Sequence, residues 1–134
     1  LRYSALRDRR RIKNAPIERI NTDKGQIRAH SPENFRQWAD GMALLANTTQ
    51  AACKLSGIVT EADEWTLDAL RPYTEHVLDV FGPDRVMWGS DWPVCQLAAS
   101  YDAWHDAAEA LTAHLSQDAR DMVFGGTAAA FYRI

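Results

Sequence analysis

Apolar residues recur at three- and four-residue steps in several stretches of the chain, and in two others they bunch into short runs. Phe35, Trp38, Met42 and Leu45 predict an amphipathic helix over residues 32–47. Ser31-Pro32-Glu33 supplies its start, with a capping hydroxyl, a proline in the first turn and an acid at the positive end of the dipole. Leu67, Leu70, Val77, Leu78 and Phe81 predict a second helix over residues 65–81. Pro72 falls inside that pattern, so a kink or a junction of two helices is expected near Arg71. Trp104, Ala107, Ala108, Leu111 and Leu115 predict a third over residues 99–115. Ser116 then caps a short helix that Gly125-Gly126 should break, before a closing helix over residues 127–132.

The short runs read as buried strands. Residues 51–55 end in Cys53-Lys-Leu55 and are bounded by Ser56-Gly57; Val86-Met87-Trp88 lies between Phe81-Gly-Pro-Asp84 and Gly89. Residues 58–63 would be the loop at the first strand's C-terminal end. The spacing from Leu55 to Val86 suits one strand–helix–strand unit, with parallel pairing and a right-handed crossover. The class is therefore α/β. Two strands cannot cover Phe35, Trp38, Leu67, Val77 and Trp104 together, which predicts exposed apolar surface and self-association.

Composition narrows the classes. The chain has 134 residues, 46% hydrophobic and 25% charged, as expected of a globular domain. No apolar run approaches the roughly 18 residues that span a bilayer, so no membrane role is expected. A net charge of −3 argues against nucleic acid as a partner. Cys53 and Cys95 lack metal or redox spacing and suit a reducing cytoplasm. Residues 1–31 form a basic, poorly defined segment, with turns expected near Asn14-Ala-Pro-Ile17 and Asn21-Thr-Asp-Lys-Gly25. Residues 32–134 carry the organised domain.

Asp91 is the leading candidate for chemistry, because ligands and catalytic groups collect where parallel strands end. The plainer reading makes it a turn cap. Lys54 interrupts an apolar strand and either faces solvent at an edge or points into a polar interior. Ser56 and Glu61 follow that strand and could line the same pocket or simply serve the turn. Trp92 is a pocket wall or a core residue. Cys95, with no partner base, reads as a packed small hydrophobe. His76 reads as a satisfied structural histidine, while His105 and His114 read as helix-surface residues.

The stretch Phe81-Gly-Pro-Asp-Arg-Val-Met-Trp-Gly-Ser-Asp-Trp-Pro-Val94 resembles the end of the last barrel strand in the amidohydrolase-related family. Cys53-Lys-Leu-Ser-Gly-Ile-Val-Thr-Glu61 and Val123-Phe-Gly-Gly-Thr-Ala-Ala-Ala-Phe-Tyr-Arg-Ile134 agree with the same family, in the same order. The branch it is similar to contains L-fuconolactonase-like and dicarboxylate-lactone hydrolases. The resemblance implies the C-terminal portion of a TIM-like (β/α)8 metal-dependent hydrolase barrel, incomplete because such a barrel takes about 250 residues. It implies a hydrolase that opens a small-molecule lactone or related carboxylate substrate. Asp91 would be the general acid/base and a metal ligand, with Lys54, Ser56 and Trp92 contacting substrate and zinc or manganese as the divalent metal. The family's paired histidines belong to the first strand, in the missing half. A further histidine expected before Ala15-Pro-Ile17 is replaced by Arg10-Arg11, so either these first residues are not native barrel sequence or a site residue has been lost. Together with Leu1 in place of a methionine, this predicts a fragment that is inactive alone and needs a complementary half or a second copy.

Overall fold

The computed structural model describes residues 32–61 and 65–134. Ser31, His30, Arg10-Arg11, the basic segment and the end of the 58–63 loop lie outside the described residues. Helix α1 runs Pro32–Thr48 and leads to strand β1, Cys53–Leu55. Helix α2, Leu67–Phe81, returns the chain to strand β2, Val86–Trp88. The two strands pair in parallel, with Cys53 beside Val86, Lys54 beside Met87 and Leu55 beside Trp88. Of the expected strand over residues 51–55, only these last three residues pair. Helix α3 spans Tyr101–Leu111 and α4 spans Gln117–Asp121; a π-helical turn, Met122–Gly126, runs into α5, Thr127–Tyr132.

Three of these helices open in the same way. The hydroxyls of Thr66, Ser100 and Ser116 accept from the backbone N–H groups of Ala69, Ala103 and Ala119. Each satisfies a donor that the first turn cannot. Helix α3 stops short of the expected residue 115, with Thr112 at its C-cap, whose N–H and hydroxyl both donate to Ala108 O at 3.1 and 2.8 Å.

Pro72 does not divide α2, which is continuous from Leu67 to Phe81. The proline sits on the exposed side, and the carbonyl its missing N–H leaves free belongs to exposed Asp68, where water can satisfy it. Nor do Gly125 and Gly126 break the helix. A Cβ on Gly126 would lie 2.7 Å from Met122 Sδ, so this glycine allows close packing inside a widened turn.

The core lies on one side of the sheet. Leu55 and Val86 share a face, and they cluster with Leu70, Val77, Phe81, Trp104, Leu111 and Val123. Helices therefore bury Val77 and Trp104 completely and shield Phe35, Trp38 and Leu67 in part, which two strands could not have done. Between α1 and α2, Phe35 meets Tyr73 edge-on at 5.1 Å and Trp38 packs on Tyr73 at 4.9 Å. His76 Nε2 lies 2.8 Å from Ala39 O, a structural histidine joining the two helices. His105, on the α3 surface with its side chain 38% exposed, also packs against aromatic rings. Its ring stands edge-on to Trp88 at 5.3 Å and stacks on Tyr101 at 6.2 Å. His114 is exposed.

Candidate active site

Both strands end at one place, and their exit turns meet there. Asp91 follows β2 with φ 54°, in the left-handed region that Asp tolerates better than most residues. The exit turn is held by Cys95 N–H, which donates to Asp91 O at 3.0 Å, and by Trp92 N–H, which donates to Ser90 Oγ at 3.2 Å. Across from it, Gly57 begins the turn after β1 with φ 69°. Thr60 closes that turn, its hydroxyl donating to Gly57 O at 2.7 Å. The Asp91 carboxylate rests against Gly57: a Cβ there would lie 3.0 Å from Asp91 Oδ2. Beside this contact, Ser56 faces Gly89, where a Cβ would stand 3.4 Å from that of Ser56.

Strand alternation orders the remaining candidates. Lys54 and Met87 are paired and point away from the Leu55–Val86 core face, and Ser56 and Gly89 follow two residues later on the same side. Lys54 is half-buried, and its Nζ sits 5.5 Å from the centroid of the Tyr132 ring. No carboxylate of the described residues pairs with it. Lys54 thus lies on the face of the sheet opposite the Leu55–Val86 core, with Ser56 two residues further along the same face. Glu61 only closes the turn after Thr60 through its N–H to Ile58 O. Trp92 is 64% exposed, which rules out its reading as a core residue. Cys95 is fully buried and Cys53 half-buried, with burial pushing the Cys53 thiol up to about 11; both pack against the hydrophobic core.

Two supports escaped the sequence reading. Trp104 Nε1 donates to Gly89 O at 3.0 Å and fixes the end of β2 to α3. Arg85, before β2, donates to Ala46 O in the last turn of α1, to Thr49 O just past it, and to Phe81 O in α2. A helical tryptophan reads as core and an arginine beside a turn reads as surface, so nothing in the pattern flagged either.

Among the described residues no three His, Cys, Asp or Glu side chains converge as a metal-binding set. Asp91 offers one carboxylate. These residues by themselves do not fit a divalent metal, and any such site must draw its other ligands from elsewhere. No described helix is long and apolar enough to cross a membrane.

The two parallel strands thus carry a carboxylate, a hydroxyl and a close-packed glycine turn at their C-terminal ends. The chain belongs to the amidohydrolase family, whose model matches residues 22–134. It is 42% identical over 106 residues to an L-fucono-1,5-lactonase of Burkholderia multivorans, and 47% identical over 103 residues to that of Burkholderia ambifaria. These alignments cover 73% and 72% of this chain but only 36% and 35% of the lactonases. A solved amidohydrolase from Burkholderia multivorans, with bound zinc, matches at 40% identity with a TM-score of 0.74. That match covers 79% of this chain and 40% of the other. The chain thus corresponds to somewhat over a third of the relatives it resembles, and is consistent with part of a barrel.

Proposed function

We propose that this chain forms the C-terminal, base-bearing portion of a (β/α)8 lactone hydrolase, with Asp91 as general acid/base. The observation that supports this most directly is the Asp91 carboxylate, held at the end of β2 against Gly57 of the neighbouring strand's exit turn. There it can take a proton from a water whose oxygen forms a bond to the lactone carbonyl carbon. As the tetrahedral adduct collapses, the ring C–O bond breaks and Asp91 returns the proton to the departing alkoxide. The product is the open hydroxy acid. Lys54, on the face of the sheet opposite the core, would attract a carboxylate or hydroxyl of the substrate, and Ser56, further along that face, would line the same floor. The lactonase names of the relatives favour a sugar lactone. A zinc-containing relative favours a divalent metal in the assembled barrel, with Asp91 as the single ligand these described residues would add.

The test is a chimaera in which residues 32–134 replace the matching segment of the Burkholderia ambifaria lactonase. Opening of L-fucono-1,5-lactone should be lost by about 10²–10⁴-fold in Asp91→Asn, with the melting temperature unchanged. Near-parental kcat/KM in that variant, or no turnover in the parent chimaera, would reject the reading.

A further inference from the structure

Gly57 meets two independent demands. Its φ of 69° lies in the left-handed region, which glycine enters without penalty. Its missing side chain also leaves the space into which Asp91 fits, since a Cβ would stand 3.0 Å from Asp91 Oδ2 and 3.7 Å from Asp91 Cγ. The first demand is local to the turn. The second ties the turn after β1 to a carboxylate carried by β2.

The turn is firm enough to act as a stop. Thr60 Oγ1 donates to Gly57 O at 2.7 Å and Thr60 N–H donates to the same oxygen at 3.1 Å. Behind it, Ile58 and Val59 are buried in the core, at 1% and 0% exposure, so the turn cannot retreat when pressed. Asp91 is fixed from its own side by the Cys95 N–H bond to its carbonyl. Any bulk added at Gly57 must therefore be accommodated by the carboxylate. By contrast, a Cβ at Gly41 on α1 would meet nothing within 4 Å.

We infer that Gly57 is a positioning residue, whose bare backbone sets where the Asp91 carboxylate stands relative to the attacking water. This rests on the reading of Asp91 as the general base. A contact at 3.0 Å asks the carboxylate to move by a few tenths of an ångström, and a 1 Å misplacement costs about 10²-fold in rate.

The experiment is a double-mutant cycle in the lactonase chimaera, with Gly57→Ala, Gly57→Asn and Asp91→Asn alone and combined, and Gly41→Ala as control. Asn tolerates positive φ while still adding the Cβ, so it reports on position even where Ala unfolds the turn. Both Gly57 variants should lower kcat by on the order of tenfold with KM within about twofold. In the Asp91→Asn background neither should lower the residual rate further, because a base that is absent cannot be misplaced. Their effect on melting temperature should persist unchanged there, as a purely structural role would require of the rate too. Equal rate losses in both backgrounds, or a parental kcat in Gly57→Asn, overturn the positioning role while leaving Asp91 as base. A near-parental Asp91→Asn removes the base itself, and that outcome is read from the single variant alone.

Discussion

Replacing Arg85 by methionine removes a guanidinium that serves the ends of two helices, and leaves the aliphatic stem in place. Nη1 donates to Ala46 O at 3.0 Å and to Thr49 O at 3.2 Å, where α1 ends; Nε donates to Phe81 O at 3.1 Å, where α2 ends. The approach of Nη2 to Val80 O, at 3.5 Å, is too long to count for much. Hydrogen bonds from a charged donor contribute about 1.5–3 kcal/mol each, so three would sum to roughly 5–9 kcal/mol if fully buried. Arg85 is only half-buried, however, and water can reach the abandoned carbonyls. Methionine keeps the aliphatic stem, though not the guanidinium that stands 5.3 Å over the Phe81 ring, and with water at the carbonyls the expected loss falls to about 2–4 kcal/mol. At about 4–8 °C per kcal/mol for a domain near this size, the melting temperature should fall by roughly 10 °C or more. Arg85→Lys keeps the charge, worth about 0.3–1 kcal/mol at a helix C-terminus, but one ammonium cannot bridge both helices. It should recover less than half of the loss. Circular dichroism melts and urea titrations of the three proteins measure this directly. A methionine variant within about 1 kcal/mol of the parent, or a lysine variant equal to it, would refute the clamp.

Lys54→Met in the lactonase chimaera should raise KM for a carboxylate- or hydroxyl-bearing lactone while lowering the melting temperature little, since its visible partner is only the Tyr132 ring at 5.5 Å. Lost stability with unchanged kinetics would make Lys54 structural instead. The Cys53 thiol is pushed by burial from 9.0 up to about 11, so the folded state keeps a proton that the unfolded state releases. That contribution is intact below pH 9 and is lost as the pH rises through about 11. Cys53→Ala should flatten this alkaline fall in urea melts, leaving the part owed to Tyr73, whose phenol burial also raises; an identical fall in both proteins would reject it.

What could be read from the chain and what could not divide along a physical line. Strand β2 and the place of Asp91 were legible because turn residues bracket Val86-Met87-Trp88 and leave the carboxylate just beyond the end. The face of α1 was legible because Phe35, Trp38, Met42 and Leu45 obey the helical period, and all four are buried or half-buried. Pairings across the fold were not. Gly57 touches Asp91 only because Cys53 pairs with Val86 and sets the strand ends level, and the pattern of three-residue strands cannot tell that register from one slipped by two residues. The Gly125-Gly126 pair misled for a related reason. Local preference treats two glycines as a break, whereas the packing of Met122 Sδ against Gly126 keeps the helix running through a wider turn. Trp92 follows Asp91 in the motif and is exposed rather than packed in the core, and Pro72 proved harmless where the freed carbonyl is exposed.

The same contacts explain how so short a strand can aim a carboxylate. Strand β2 has three residues, too few for its own ladder to hold its ends. Each end is tied to something larger. At its start, Arg85 couples the chain to the ends of α1 and α2, and Arg85 O accepts from Cys53 N–H at 2.7 Å, which fixes the register of β1. At its finish, Gly89 O accepts from Trp104, whose ring is fully buried in α3, and Gly89 N–H donates to Leu55 O at 3.2 Å. Asp91 is two residues further on, its carbonyl held by Cys95 N–H and its carboxylate stopped by Gly57. Helix packing therefore fixes the strand, the strand fixes the register, and the register places the two exit turns against each other. A change that loosens Arg85 or Trp104 should act on stability first and reach Asp91 only through that register, whereas a change at Gly57 acts on the carboxylate with no intermediary.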